Sequence, residues 1–247
     1  MKTVICQINS KYIHSSLAAW YLKENTSVPT EILELNINMP YEKLLKRILD
    51  AEADTLAFPC YIFNIEVVRW LIGDVRKAAP NTRILLGGPE MTAEAEPYVE
   101  WCDAVLIGEG EKLFDEVLHD SEKRGMLLAP EITDLDSVRS PYTDAFFKAN
   151  RGKIIYYESS RGCPFHCSYC LSSLSDGVRT FSMDRVKADL TRIVNAGVTQ
   201  VKFVDRTFNA DRRRATEILK FLKQISVGKQ IGFHFEVAAD LFDDALL

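Results

Sequence analysis

Short apolar runs typical of β-strands alternate with amphipathic helical stretches over the first 120 residues, and this alternation constrains the fold most. A repeated strand and helix pattern is typical of a parallel sheet covered by helices. The candidate strands are residues 3–8, 31–35, 55–58, 83–86 and 104–107. The pattern predicts an α/β domain over residues 1–120 with a Rossmann-like (flavodoxin-like) sheet, whose ligand lies beyond the carboxyl ends of the strands.

Residues 121–152 interrupt the alternation, because they contain Pro130, Pro141 and several aspartates without a sustained period. We interpret them as a linker between domains. A second α/β unit, residues 153–247, has candidate strands at 153–158, 200–204 and 231–237. Three strands cannot close a barrel, and residues 243–247 resemble the start of another helix. We therefore expect an amino-terminal portion of a longer protein.

Composition and charge indicate which cellular environment and which partners to expect. The net charge of −5 and pI near 5.5 give no support for a nucleic-acid surface. No stretch approaches the roughly 20 apolar residues that span a bilayer, and the first residues run straight into a strand. We expect a cytoplasmic protein without a membrane partner. Six cysteines, three of them clustered, favour reduced thiols and metal binding over disulfides.

Three cysteines lie within eight residues directly after a predicted strand: Cys163, Cys167 and Cys170. A structural zinc site is one explanation, but zinc takes four tetrahedral ligands that usually come as two separated pairs. Thiolate runs of this kind hold iron–sulfur clusters. With no fourth cysteine nearby, one iron would keep an exchangeable position. His166, between the cysteines, is interpreted as a variable loop residue.

Residues 161–170, Arg-Gly-Cys-Pro-Phe-His-Cys-Ser-Tyr-Cys, resemble the signature of the radical S-adenosylmethionine (radical SAM) superfamily. The resemblance implies that the three cysteines bind a 4Fe-4S cluster whose open iron takes S-adenosylmethionine. It also implies that one electron from the reduced cluster releases a 5'-deoxyadenosyl radical, so a donor such as a flavodoxin or ferredoxin is needed. The implied fold is a partial (βα)6 barrel, of which this chain holds the first half.

The same resemblance suggests four contacts to S-adenosylmethionine. The flat ring of Tyr169 suits the adenine side, although simple loop packing is the alternative. Asp205 and Arg206 end the second strand of this unit, and an Arg fork matches a carboxylate. Glu236, on the third strand, would reach a ribose or amino group. For the last three residues, an ordinary ion pair is the alternative.

An α/β sheet before a radical SAM barrel resembles the cobalamin-binding branch of that superfamily, over residues 1–120. Loops after the first, fourth and fifth strands supply the candidate cobalamin contacts Asn9, Ser10, His14, Gly87, Gly88, Gly108, Glu109 and Gly110. Glycines permit close approach to a large flat ligand, and tight turns are the alternative. The Asp-x-His-x-x-Gly loop that supplies a cobalt ligand is missing, so His14 is interpreted as a residue at a helix start.

These observations predict a radical SAM enzyme that uses cobalamin for methyl transfer or radical rearrangement of an unknown substrate. One alternative is a methylthiotransferase-like enzyme with a second cluster on strand-end cysteines. Cys6 and Cys60 fit its positions and Cys102 does not, so all three are interpreted as small buried hydrophobic residues. The other alternative is a non-catalytic iron–sulfur or zinc-binding protein.

Overall fold

The computed structural model describes residues 1–175 and 177–241, and the chain divides into two compact units, Met1–Ile132 and Thr133–Leu247. Each unit contains its own parallel sheet. The helix predicted to start at residues 243–247 lies outside the described residues. Within the described ranges, no helix is long and apolar enough to cross a membrane.

The first unit contains a six-stranded, fully parallel sheet, which confirms the predicted α/β class. Its strands are β1 (Thr3–Asn9), β2 (Thr30–Asn36), β3 (Thr55–Pro59), β4 (Arg83–Gly87), β5 (Ala104–Ile107) and β6 (Gly125–Leu128). The spatial order is β2-β1-β3-β4-β5-β6. Strand β6 lies inside residues 121–152, the segment that the sequence predicts to be a linker. Because the order reverses between β1 and β3, a crevice is expected where their following loops diverge.

Helices cover both faces of this sheet. They are α1 (Leu17–Asn25), α2 (Tyr41–Leu49), α3 (Ile65–Ala78), α4 (Pro89–Ala93) and α5 (Gly110–His119). Strand side chains alternate between the faces. Val4 and Cys6 therefore join a core with α2 and α3, whereas Ile5 joins a core with α1 and α5. Both faces of the central strands are buried, which explains their continuous apolar sequences.

The second unit contains a three-stranded parallel sheet in the order β7-β10-β11 and a separate antiparallel pair, β8 with β9. The strands are β7 (Ile155–Tyr157), β8 (Ser160–Gly162), β9 (Val178–Thr180), β10 (Gln200–Phe203) and β11 (Gly232–His234). The helices are α6 (Asp144–Ala149), α7 (Met183–Asn195) and α8 (Arg212–Ile225). Strands β7, β10 and β11 occupy the predicted positions but are shorter, and the β8–β9 pair was not predicted.

Candidate functional site

The strand order places the expected crevice of the first unit between the loops that follow β1 and β3. Asn64 ties the two strand ends together, because its buried side-chain amide donates to the carbonyls of Ile8 (3.3 Å) and Pro59 (3.1 Å). Its Oδ1 also accepts from the amide of Tyr61 at 2.8 Å. Asn64 is not among the residues predicted from the sequence, since an asparagine before a helix is usually an ordinary cap.

Four large apolar side chains of these two loops are exposed. Tyr12 and Ile13 follow β1, with exposed fractions of 71% and 48%. Ile62 and Phe63 follow β3, with 83% and 41%, and Phe63 stacks on Tyr61 with ring centroids 5.4 Å apart. Exposed apolar groups on both sides of a crevice are typical of a binding site for an apolar ligand face. None of the four is among the cobalamin contacts predicted from the sequence.

A polar network lies at the carboxyl ends of β1 and β2. Gln7 Nε2 donates to Asn9 Oδ1 at 3.0 Å, and Asn9 Nδ2 donates to Glu34 Oε1 at 2.9 Å. Gln7 is buried, and its Oε1 has no hydrogen-bond partner among the described residues. The same holds for Nδ2 of buried Asn36 on β2. Buried polar atoms normally have partners, and these two atoms can form hydrogen bonds with water or with a polar ligand.

Two of the predicted glycines need the conformation that glycine allows. Gly88 has φ +101°, and a Cβ there would lie 2.8 Å from the carbonyl oxygen of Cys60. Gly108 has φ +91°. Thr92 connects the two loops, since its hydroxyl donates to Gly88 O at 3.2 Å and accepts from Gly108 N at 3.1 Å. The backbone therefore comes close at the ends of β3, β4 and β5.

The other predicted contacts of the first unit have structural partners. Gly87 is the last residue of β4, and its carbonyl accepts from Cys60 N at 2.7 Å. Glu109 accepts a hydrogen bond from Ile132 N at 3.0 Å, and Gly110 begins α5 beside Leu22 of α1. The remaining two lie in the loop after β1. Ser10 accepts at its carbonyl from Asn38, and His14 precedes the helix cap Ser16 by two residues.

The cysteines of the first unit do not resemble cluster ligands. Cys6 and Cys60 are buried, as predicted, and Cys102 is half-buried. Burial raises the pKa of the Cys6 thiol, and it raises the pKa of Cys60 and of Cys102 to about 12. Because the thiolate is the form that binds metals, these three thiols are poor ligands for the second cluster of a methylthiotransferase-like enzyme.

The cysteine loop of the second unit follows β8. Cys163 is buried with its Sγ 3.5 Å from Thr207 Oγ1, Cys167 is exposed, and the Cys170 amide donates to Cys167 O at 3.0 Å. Hydrogen bonds from the backbone and side chain of Ser172 lower the pKa of the Cys170 thiol, and the charge of Arg206 lowers it further. A lowered pKa favours the thiolate, which is the ligand form.

Predicted contacts to S-adenosylmethionine lie at different depths. Tyr169 is 90% exposed, and Arg206 is exposed as well. Glu236 pairs with Lys202 at 3.4 Å. Asp205 is 1% exposed, and its carboxylate accepts hydrogen bonds from Ser159 and Ser160. Burial raises the pKa of the Asp205 carboxyl, while those hydrogen bonds act in the opposite direction.

The described residues contain no group of three His, Cys, Asp or Glu side chains gathered closely enough to hold a metal ion. The cysteine loop nevertheless has the donor chemistry of an iron–sulfur site, with three thiols in eight residues and one of lowered pKa. The first unit has a backbone cradle at Gly88, exposed apolar groups and a buried, unpartnered amide oxygen. These features fit a large flat ligand that carries amide groups.

Comparison with a family model matches residues 4–118 to the B12 binding domain. The match covers the strands β1 to β5 and the helices between them. Residues 4–118 are therefore similar to this domain family. The position of the crevice, between β1 and β3, lies inside the matched residues.

Curated relatives and solved structures extend the similarity. An uncharacterized methyltransferase of Pyrococcus horikoshii is 31% identical over 173 residues, 58% of this chain and 38% of the relative. The cobalamin-dependent radical SAM methyltransferase TokK of Streptomyces tokunonensis is 27% identical over 64% of this chain and 28% of its own length. The chain thus spans about a third of the length of these curated relatives.

Among solved structures, the radical S-adenosylmethionine methyltransferase TsrM from Kitasatospora setae, with cobalamin and a [4Fe-4S] cluster bound, matches with a TM-score of 0.72. The match covers 99% of this chain and 57% of that one at 13% identity. At this identity the similarity establishes the fold.

Proposed function

We infer that this chain, whose residues 4–118 form a B12-binding domain, works as part of a cobalamin-dependent radical SAM methyltransferase. The observation that carries the proposal is the pairing of two features in one chain. A B12-binding domain precedes a loop that resembles the radical SAM cysteine signature at residues 161–170. The names of the relatives support the same reaction class. A partial barrel in the second unit is part of this proposal.

In the first unit, we propose that the crevice after β1 and β3 holds cobalamin. The exposed side chains of Ile62 and Phe63 offer an apolar surface to the flat macrocycle. Gln7 Oε1 and Asn36 Nδ2 offer a buried acceptor and a buried donor for amide groups. Gly88 allows the backbone after β4 to lie close to Cys60, the residue that follows β3, on one side of this crevice. Cobalamin supplies a carrier for a methyl group when bound.

In the second unit, we propose that Cys163, Cys167 and Cys170 hold the 4Fe-4S cluster. The bound cluster supplies an electron that cleaves S-adenosylmethionine. The exposed ring of Tyr169 is free to turn onto an adenine, and Arg206 carries a charge beside Cys170 that suits a carboxylate. A flavodoxin or ferredoxin is the proposed electron donor.

Cobalamin binding tests the first half of the proposal. Hydroxocobalamin titrated into the full chain should bind at one equivalent, with a shift of the corrinoid absorbance. Ile62→Glu should weaken this binding at least about tenfold, because covering an isoleucine side chain contributes about 1.5–3 kcal/mol. Val227→Glu is the matched control, since Val227 is 78% exposed in the second unit, and it should bind like the unmodified chain. Equal binding by both variants would exclude this crevice.

Iron–sulfur reconstitution tests the second half. The anaerobically reconstituted chain should contain about four irons, as expected for a cubane cluster. Dithionite and S-adenosylmethionine should then yield 5'-deoxyadenosine or S-adenosylhomocysteine. Cys167→Ala should abolish both iron uptake and product, whereas Cys102→Ala, which removes a thiol of the first unit, should change neither. A protein that binds iron but never consumes S-adenosylmethionine would be a non-catalytic iron–sulfur protein. Zinc uptake without iron would indicate a structural zinc site.

A further inference from the structure

Asp205 follows β10, and both oxygens of its carboxylate accept hydrogen bonds from the chain that leads into the cysteine loop. Oδ1 accepts from the hydroxyls of Ser159 (2.6 Å) and Ser160 (2.5 Å), and Oδ2 accepts from the amide of Ser159 (3.1 Å). The residue is only 1% exposed. Hydrogen bonds to a charged acceptor are stronger than those between neutral groups. A carboxylate held in this way points into the protein and does not face a ligand outside it.

Ser159 is held from the opposite side as well. Its carbonyl accepts hydrogen bonds from Arg214 Nη2 of α8 and from the amide of Phe181, both at 3.1 Å. Its amide, hydroxyl and carbonyl are therefore all bonded to residues distant in sequence. Strand β8 begins at the next residue and ends at Gly162, directly before Cys163. A displacement of Ser159 would consequently be transmitted to Cys163 along only three intervening residues.

Only a carboxylate can make this set of bonds. The two serine hydroxyls and one amide all donate, and an ionised carboxylate offers only acceptor atoms. An asparagine of the same shape would place an NH2 group against at least one of these donors, so that a buried hydrogen bond would be lost. The neighbouring Arg206 is exposed, and its charge lowers the pKa of Cys170. Asp205 therefore holds the start of the cysteine loop by hydrogen bonds, whereas Arg206 acts on the loop by its charge.

We propose that Asp205 is the positioning residue of the cysteine loop, fixing Ser159 and Ser160 so that β8 presents Cys163 in one place. Its assignment to the cluster loop rests on the proposed function, but the anchoring itself is a property of the chain without any cofactor. Arg206, and not Asp205, is then the residue at this strand end that is available to S-adenosylmethionine.

Hydrogen exchange of the full chain without cofactors tests the anchoring directly. In Asp205→Asn, amides of residues 159–163 should exchange at least about tenfold faster, because local opening becomes easier when charge-assisted hydrogen bonds are lost. Arg206→Gln, the matched control, should exchange like the unmodified chain. Ser160→Ala removes one of the three bonds and should give a smaller increase, which keeps the test decisive if Asp205→Asn fails to fold. Unchanged exchange in both Asp205→Asn and Ser160→Ala would overturn the proposal.

Cluster spectroscopy then separates a positioning role from ligand binding. After reconstitution, Asp205→Asn should release iron to a chelator several-fold faster than the unmodified chain, while the surviving cluster still changes its electron paramagnetic resonance spectrum with S-adenosylmethionine. Arg206→Gln should still take up the cluster and lose that spectral change. The reverse pattern would make Asp205 a ligand for S-adenosylmethionine and overturn the inference. If the unmodified chain takes up no cluster, the proposed function fails, and the exchange experiment still decides the anchoring.

Discussion

Replacing Gly88 with alanine perturbs the carboxyl end of the first sheet, where the backbone after β4 lies close to Cys60. Gly88 lies between β4 and α4 with φ +101° and ψ −174°, a backbone conformation that is essentially restricted to glycine. A Cβ at this position would lie 2.8 Å from the carbonyl oxygen and 3.0 Å from the amide nitrogen of Cys60. Both atoms belong to the backbone, so neither can move away by rotating a side chain.

The expected cost follows from three contributions. The unfavourable backbone conformation costs about 2 kcal/mol, and the overlap with the Cys60 backbone costs about 2 kcal/mol. Alanine also reduces the entropy of the unfolded chain, which offsets about 0.7 kcal/mol. The net loss in the free energy of unfolding is about 3 kcal/mol. With an m-value of about 2 kcal/mol/M, the urea midpoint of the first unit should fall by about 1.5 M.

Tryptophan fluorescence during urea unfolding measures this change selectively. All three tryptophans, Trp20, Trp70 and Trp101, lie in the first unit. Gly73→Ala is the matched control, because Gly73 lies within α3 and a Cβ there would have no atom within 4 Å. It should stabilise the unit by about 0.5–1 kcal/mol, since glycine is unfavourable inside a helix.

Cobalamin binding should be affected by the same variant that loses stability. Gly88→Ala displaces Cys60, which precedes the loop with Ile62, so it should also weaken hydroxocobalamin binding at concentrations of urea where the unit remains folded. Gly73→Ala should bind normally. A Gly88→Ala variant with the urea midpoint of the unmodified chain would refute the assigned backbone contact with Cys60.

Two further predictions concern the first unit and the reactivity of thiols. Burial alone would raise the pKa of Asp103, but hydrogen bonds from Arg76 and the amide of Ile84 lower it below its usual value. Asp103→Asn should therefore lower the free energy of unfolding by about 2 kcal/mol at pH 7. This difference should persist above the unfolded pKa of about 3.9 and disappear as the pH falls through the lower folded value, measured by urea unfolding across pH. In the cofactor-free chain, iodoacetamide should modify exposed Cys167 well before Cys60, whose burial raises its pKa to about 12; mass spectrometry showing equal rates would contradict the buried position.

The strands that could be predicted are those whose sequence reports burial on both faces. Strands β3 and β4 are continuous apolar runs because helices cover both of their faces. Strand β6 was missed because it is a four-residue edge strand, paired only with β5, and its residues alternate between partial burial and exposure. Its place in the sheet depends on pairing with β5, a long-range contact that local sequence does not encode.

The candidate sites were predictable to different degrees for a similar reason. The spacing of the three cysteines was enough to predict the cysteine loop, and the two successive glycines were enough to indicate a tight turn at Gly88. Asn64 and Ile62 were missed because their importance depends on the meeting of two loops that are more than 45 residues apart in sequence. A loop asparagine has many local roles, and only the folded chain shows that this one joins the ends of β1 and β3.

The opposite environments of Asp205 and Arg206 follow from strand geometry together with the available donors. Successive side chains of a strand point to opposite faces, and the two positions just beyond β10 keep this alternation, since Asp205 is buried and Arg206 is exposed. The register pairs Phe203 with Tyr157, and two residues further this brings position 205 opposite Ser159. Ser159 and Ser160 supply donors, which a buried carboxylate requires and which a guanidinium cannot use. Exchanging the two residues would leave the amide of Ser159 facing a cation, with no acceptor for its proton. The order Asp-Arg therefore specifies which side chain anchors the loop and which one remains available to a ligand.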